Sequence, residues 1–316
     1  MKYILTVLTL ATILLTTDAL AQEPVVYRLH HIEYNRTEES IDFFSVSDRY
    51  YESGPEVDSA IPKSYFENKS GPVQKFIKLK GEYRKRCMDA IGASENDVVY
   101  TYDYARDKLL RYYIRSLYCV AVLSIYSSGA EYPIDQNEYM IGFQIKSKYL
   151  TGYHSHVLVS IGKTNPFTRG QVKPILWEKA SADAFPREAK SFEEIGRLKT
   201  GNYGNTYQFK MEGLTYLVQN IMFNNVVLAR HLVVKNSASN LILLDRFYID
   251  SESASPAPLN SVEPENNDFL IQYAGNLFKY KPPVIFGFMW QSFGCPRIDV
   301  IKPDADSIYI HCDNRH

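Results

Sequence analysis

Past its first residues the chain has no long apolar run, and a bilayer-crossing helix needs about 20 such residues. Even Tyr118 to Tyr126 is short and follows arginines. It also lacks an excess of either charge. With 35 Lys+Arg against 36 Asp+Glu, the formal net charge is −1, which argues against whole-molecule attraction to nucleic acid or an anionic membrane. No nucleic acid is expected as its native partner. Only four cysteines occur, no two of them at the two-to-four-residue spacing of a zinc ligand pair. There is no G-x-S-x-G around a serine, no phosphate-binding glycine loop, no dinucleotide fingerprint and no H-E-x-x-H. No cofactor is implied. What remains, 45% hydrophobic and 22% charged over 316 residues, is the composition of a folded globular protein.

The N-terminus carries an address. Lys2 precedes an apolar run from Ile4 to Leu15, and Ala19-Leu20-Ala21 has the small-x-small form of a cleavage site, so residues 1–21 read as a signal peptide. The mature chain 22–316 is then a single secreted or periplasmic domain without a transmembrane segment. In an oxidising compartment Cys87, Cys119, Cys295 and Cys312 read as two disulfides, and proximity favours Cys87–Cys119 and Cys295–Cys312.

Hydrophobic periodicity divides the mature chain. Residues 25–34 and 41–47 are rich in β-formers. Ser70-Gly71-Pro72 precedes Val73, Phe76, Ile77, Tyr83, Cys87 and Ile91 at near-helical spacing, and Tyr112, Ser116, Cys119 and Leu123 form a second stripe within 103–126. These predict an antiparallel helical pair in a helix-rich part, 70–128, tied by Cys87–Cys119. From 138 to 316 the period is two, with Asn224-Asn225 and Asn236 to Ser239 as turns and one more helix expected over 182–198. Residues 250–268 read as a solvated polar loop. The expected class is α+β, a helical pair packed on a mainly antiparallel sheet with two disulfides.

Chemistry-bearing candidates are few. Six of the seven histidines fall in three groups: His30 with His31, His154 with His156, and His311 with His316. On a strand His154 and His156 share a face, which makes them weak metal candidates, and no metal is assigned. Lys75, Lys78, Lys80, Arg84, Lys85 and Arg86, offset only by Glu82, make a candidate anion-binding surface continued by Arg106, Lys108, Arg111 and Arg115. The 25 tyrosines suit glycan or protein contacts as well as a half-buried pleat. Asp245, in LILLDRFYID, is an acid within a strand.

One order of fragments carries a resemblance. Arg28 in VVYRLHH, then Ser45-Val46-Ser47, then Glu263-Pro264-Glu265 is similar to the arginine, Ser-x-Ser and Glu-x-Glu order of secreted mono-ADP-ribosyltransferase toxins. It covers three short fragments, and Arg28 stands closer to Ser45 than that family's intervening helix needs. The resemblance implies a toxin-like transferase. The residues themselves point to an exported protein that binds a protein, glycan or polyanion, with a histidine-centred hydrolase or that transferase as the enzymatic alternative.

Overall fold

A computed structural model describes residues 23–34, 40–53, 60–146, 150, 156–263, 271–292 and 294–313. The signal-peptide expectation for 1–21 lies outside them. The first strands are β1 (Val26–Glu33), β2 (Ser40–Ser45), β3 (Phe76–Leu79), β4 (Val98–Asp103), β5 (Lys108–Tyr113), β6 (Tyr118–Leu123), β7 (Tyr139–Ile145), β8 (Val157–Gly162), β9 (Val172–Pro174) and β10 (Glu178–Ala180). They continue as β11 (Asn202–Met211), β12 (Leu214–Phe223), β13 (Val226–Asn236), β14 (Ile242–Ile249), β15 (Ala254–Pro256), β16 (Tyr273–Gly275), β17 (Val284–Phe286), β18 (Met289–Gln291), β19 (Arg297–Val300) and β20 (Ile308–His311). Among the described residues two short α-helices, α1 (Ser47–Ser53) and α2 (Glu82–Ala90), accompany the strands.

The protein is mostly β, 46% strand and 12% helical, and the expected α+β helical pair is wrong. Residues 103–126 form no helix. Val98 to Tyr102 are β-branched and aromatic, Asp107 turns the chain at a φ of 51°, and β5 pairs back on β4. The Tyr112-to-Leu123 stripe spans β5, a 3-10 turn (Ile114–Ser116) and β6, so its helical spacing is coincidental. From Val73 only α2 is helical, because β3 comes first and Gly81 (φ 55°) separates the two. The stretch 182–198 is three isolated 3-10 turns; Ser181 and Ser191 cap two of them, and Pro186 intervenes.

The chain has one disulfide rather than two. Cys295–Cys312 forms, with Cα atoms 5.5 Å apart. Cys87 on α2 and Cys119 on β6 are buried as free thiols. They meet as a helix-on-sheet contact, and hydrogen bonding to Cys119 together with burial pushes the Cys87 thiol well above its usual pKa.

A mixed 13-stranded sheet runs β3-β6-β7-β2-β1-β20-β19-β17-β16-β9, with β8, β4 and β5 branching from β1. All its pairings are antiparallel except β1 with β20. The strands β10 to β14 make a second, five-stranded antiparallel sheet. Asn224 and Asn225, at φ 49° and 65°, close the β12–β13 hairpin as the turn chemistry predicts. The core of the first sheet gathers around Phe43, Phe44, Val120, Ile141 and Phe143, and that of the second around Trp177, Tyr216, Leu232 and Phe288. Part of the presumed polar loop is structural: β15 pairs with β18, and buried Asn260 donates to the Ile175 and Gln272 carbonyls.

Candidate functional site

The partner of β1 changes along its length. Residues Leu29 to Glu33 pair with β2, whereas Val26 and Tyr27 pair with Ile310 and His311 of β20. On the opposite edge Tyr27 and Arg28 pair with Val159 and Leu158 of β8. Where β2 ends and β20 arrives, Ser45 Oγ donates to Asp313 Oδ2 at 2.6 Å. Arg28 lies at this junction. Because His30 faces Phe43, the alternation of the pleat puts Arg28, His30, Phe43 and Ser45 on one face of the sheet.

Sequence candidates far apart in the chain converge here. The His30 ring lies 5.4 Å from that of Phe43, tilted by 30°, and hydrogen-bonds the Cys312 backbone, while its Nε2 is buried without a hydrogen-bond partner among the described residues. His311 Nδ1 is 3.6 Å from Asp48 Oδ2. Tyr104, close enough to Arg28 for the phenol to bear on its charge, packs edge-on against His156, Tyr273 and Phe286. Ser47 Oγ accepts from the Ile141 N–H at 2.8 Å. Both serines are buried and engaged, so neither is an exposed nucleophile.

Arg28 is the exception in this network. Its side chain reaches solvent and makes no hydrogen bond or ion pair with any described residue. The surrounding protein nonetheless strips enough water from the guanidinium to pull its pKa below the ordinary arginine value. Of the nearby carboxylates, Asp313 accepts from Ser45 and Asp48 lies 3.6 Å from His311 Nδ1; neither forms an ion pair with Arg28. A partly desolvated fork of donors without an acceptor is equipped for an oxyanion.

His30 gives the junction a pH dependence. Burial, then the Arg28 charge, pushes its pKa down to about 4, against the opposing pull of Asp313, the Cys312 backbone and Asp48. The unfolded imidazole titrates at about 6.5 and therefore binds more protons than the folded one across that interval. Its contribution to stability is full above about pH 6.5 and is lost as the pH falls to about 4. The melting temperature of the wild type is expected to fall more steeply over this range than that of His30→Gln. Parallel slopes would contradict the assignment.

The remaining predicted residues are dispersed. Arg84 is structural: it pairs bidentately with Glu95 and donates to the Leu117 and Ile114 carbonyls. Lys85 pairs with Asp89 and Arg86 with Glu82 along α2, and Arg106 with Asp103. Lys75 sits over the Tyr34 ring, Lys78 over Tyr118, and Lys80 is exposed beyond β3. These cations therefore share no helix face. His31 joins Glu33 and Asp42, whose hydrogen bonds raise its pKa. His154 and His316 lie outside the described residues, and among the described residues no three His, Cys, Asp or Glu are grouped to hold a metal ion.

Two features went unread in the sequence. His231, the one histidine outside the three groups, is buried on β13, stacked on Phe247 at 3.8 Å and bonded to Asp245 at 2.7 Å. Asp245 is thus the partner of a core histidine. The second feature is a row across the large sheet: Lys78 pairs with Val120, Val120 with Gly142 and Gly142 with Ser45. It puts Lys78 on the same sheet face as Arg28, about 19 Å away at roughly 4.8 Å per strand.

No protein-family model, curated protein or solved structure matches this chain.

Proposed function

We propose that the protein is exported through its N-terminal signal and acts by binding an anionic ligand at the β1 junction, with Arg28 as the principal contact. The observation that carries this reading is the guanidinium of Arg28, partly desolvated and unpaired among the described residues. An arginine in that state costs free energy that a bound carboxylate or phosphate would recover. The disulfide, and the lack among the described residues of any helix long and apolar enough to cross a membrane, are compatible with an extracellular or periplasmic location.

A toxin-like transferase is the second reading. It is favoured by the shared strand face of Arg28 and Ser45, the first two elements of the resemblance. Of its two acids, Glu263 pairs with Arg230 of the second sheet, and Glu265 lies outside the described residues. An assay for transfer of ADP-ribose separates the two readings.

The test uses protein collected outside the cytoplasm, with Gln22 expected as its first residue. Calorimetric titration with phosphate, pyrophosphate and citrate should show binding of at least one. Arg28→Ala should weaken it by about tenfold or more, as expected for a charge-assisted hydrogen bond. Arg28→Lys, which keeps the charge and loses the fork, should fall between them. Absence of binding, or equal affinity in Arg28→Ala, would overturn the proposal.

A further inference from the structure

A second recess lies on the same sheet face, toward its β3 edge. It is an open groove of about 520 Å³ whose floor includes Val120 and Ile41, with Phe76, Tyr65 and Tyr118 as aromatic walls. Among the described residues its polar lining is Ser40, Gln74, Lys78 and Gln144 with the Tyr65 and Tyr118 phenols, and no carboxylate is among them.

The state of these groups specifies a ligand class. Tyr118 is 48% exposed, and the Lys78 ammonium is 4.2 Å from the centre of its ring. Ser40, Tyr65 and Gln144 make no side-chain hydrogen bond with described residues. Gln74 Nε2 donates to the Phe76 carbonyl, and its side-chain oxygen accepts no hydrogen bond from a described residue. The groove thus offers an accessible ring face, amide and hydroxyl groups of both polarities, and one unneutralised cation. A pyranose presents an apolar C–H face to stack on a ring and a rim of hydroxyls for amides and phenols. A lone cation among them selects a sugar that carries an anion.

We infer that this groove binds an acidic glycan, with a uronate carboxylate on Lys78 and a sugar ring on Tyr118. The site is independent of Arg28. The register separates them by four strand spacings, and Lys78 supports no packing that the junction needs.

The probe is a hyaluronan tetrasaccharide, alternating glucuronate and N-acetylglucosamine, set against the neutral N-acetylglucosamine tetramer and a glutamate tetrapeptide. Titrations monitored by calorimetry should show that the wild-type protein prefers the uronate sugar to both controls by about tenfold or more. Lys78→Gln should remove most of that preference, Tyr118→Ala should weaken both sugars, and Tyr118→Phe should retain binding. Arg28→Ala should leave uronate binding unchanged, so failure at one site is distinguishable from failure at the other. Melting curves within a few degrees of wild type confirm that the Lys78→Gln protein is folded, as its exposed position predicts. The inference is overturned if the tetrasaccharide does not bind, if either control binds equally well, or if Lys78→Gln binds as wild type does.

Discussion

Arg230→Ala is expected to cost about 3–5 kcal/mol, the range for removing one partner of a buried ion pair. Arg230 is 2% exposed on β13. Its Nε donates to the Ala257 carbonyl, Nη1 to Asn220 Oδ1 and Glu263 Oε1, and Nη2 to Glu263 Oε2 at 2.6 Å. Truncation takes this donor from the buried Ala257 carbonyl and Asn220 Oδ1 and leaves the Glu263 carboxylate only the Leu259 N–H and Asn220 as donors. Burial pushes the Glu263 carboxyl up, but Arg230, the Leu259 N–H and Asn220 outweigh it and hold the pKa below the usual range. Without Arg230 that balance reverses, so the variant should lose less stability in acid, where Glu263 is neutral, than at neutral pH. Denaturant unfolding at the two pH values checks both points. A loss under about 1 kcal/mol would mean that the segment 257–263 is not held by this residue.

Gly142→Ala is the second large effect. A Cβ at Gly142 would lie 2.0 Å from the Phe44 carbonyl oxygen and 3.0 Å from Ser45 Cα, all backbone of the neighbouring strand. No rotamer can relieve a clash with main chain, so β2 and β7 must part in the middle of the large sheet. We expect about 3 kcal/mol or more, the upper end for overpacking. We also expect loss of anion binding, because Ser45, the residue paired with Gly142, is the link to Asp313. Gly92→Ala is the contrasting control: nothing lies within 4 Å of its added Cβ, and only its φ of 64° opposes the change. If Gly142→Ala melts as late as that control, the close approach of β2 and β7 is not a constraint.

The strand-rich half was legible because its alternation and its asparagine turns are local signals. The misreading of 103–126 has a physical origin: β6 is buried almost throughout, so it shows a continuous apolar run with no period of two. Helical spacing then arose from residues on two different strands. The Cys295–Cys312 bond was readable from proximity, since β19 and β20 are neighbours in chain and sheet. For Cys87 and Cys119, sequence placed the pair together but on the wrong elements.

The site was partly visible. Arg28, the Ser45–Ser47 pair and the clustered histidines stood out as residue types, but their assembly depends on β20 joining β1 in parallel from the far end of the chain. No local pattern encodes that pairing. The basic cluster is divided by the fold rather than gathered by it. Its spacing is real, yet Glu95, Asp89 and Glu82 neutralise Arg84, Lys85 and Arg86, and only folding brings Glu95 to Arg84.

The central claim is that Arg28, without an ion-pair or hydrogen-bond partner among the described residues, is the contact for an oxyanion, and ligand-dependent melting tests it most directly. At fixed ionic strength and pH, pyrophosphate at about 100 times its dissociation constant should stabilise the folded wild type by about 2.7 kcal/mol, a shift of several degrees. Arg28→Ala, bound about tenfold or more weaker, should at the same concentration show at most about half that stabilisation. An equal shift in both proteins, or none in the wild type with phosphate, pyrophosphate or citrate, would contradict the account.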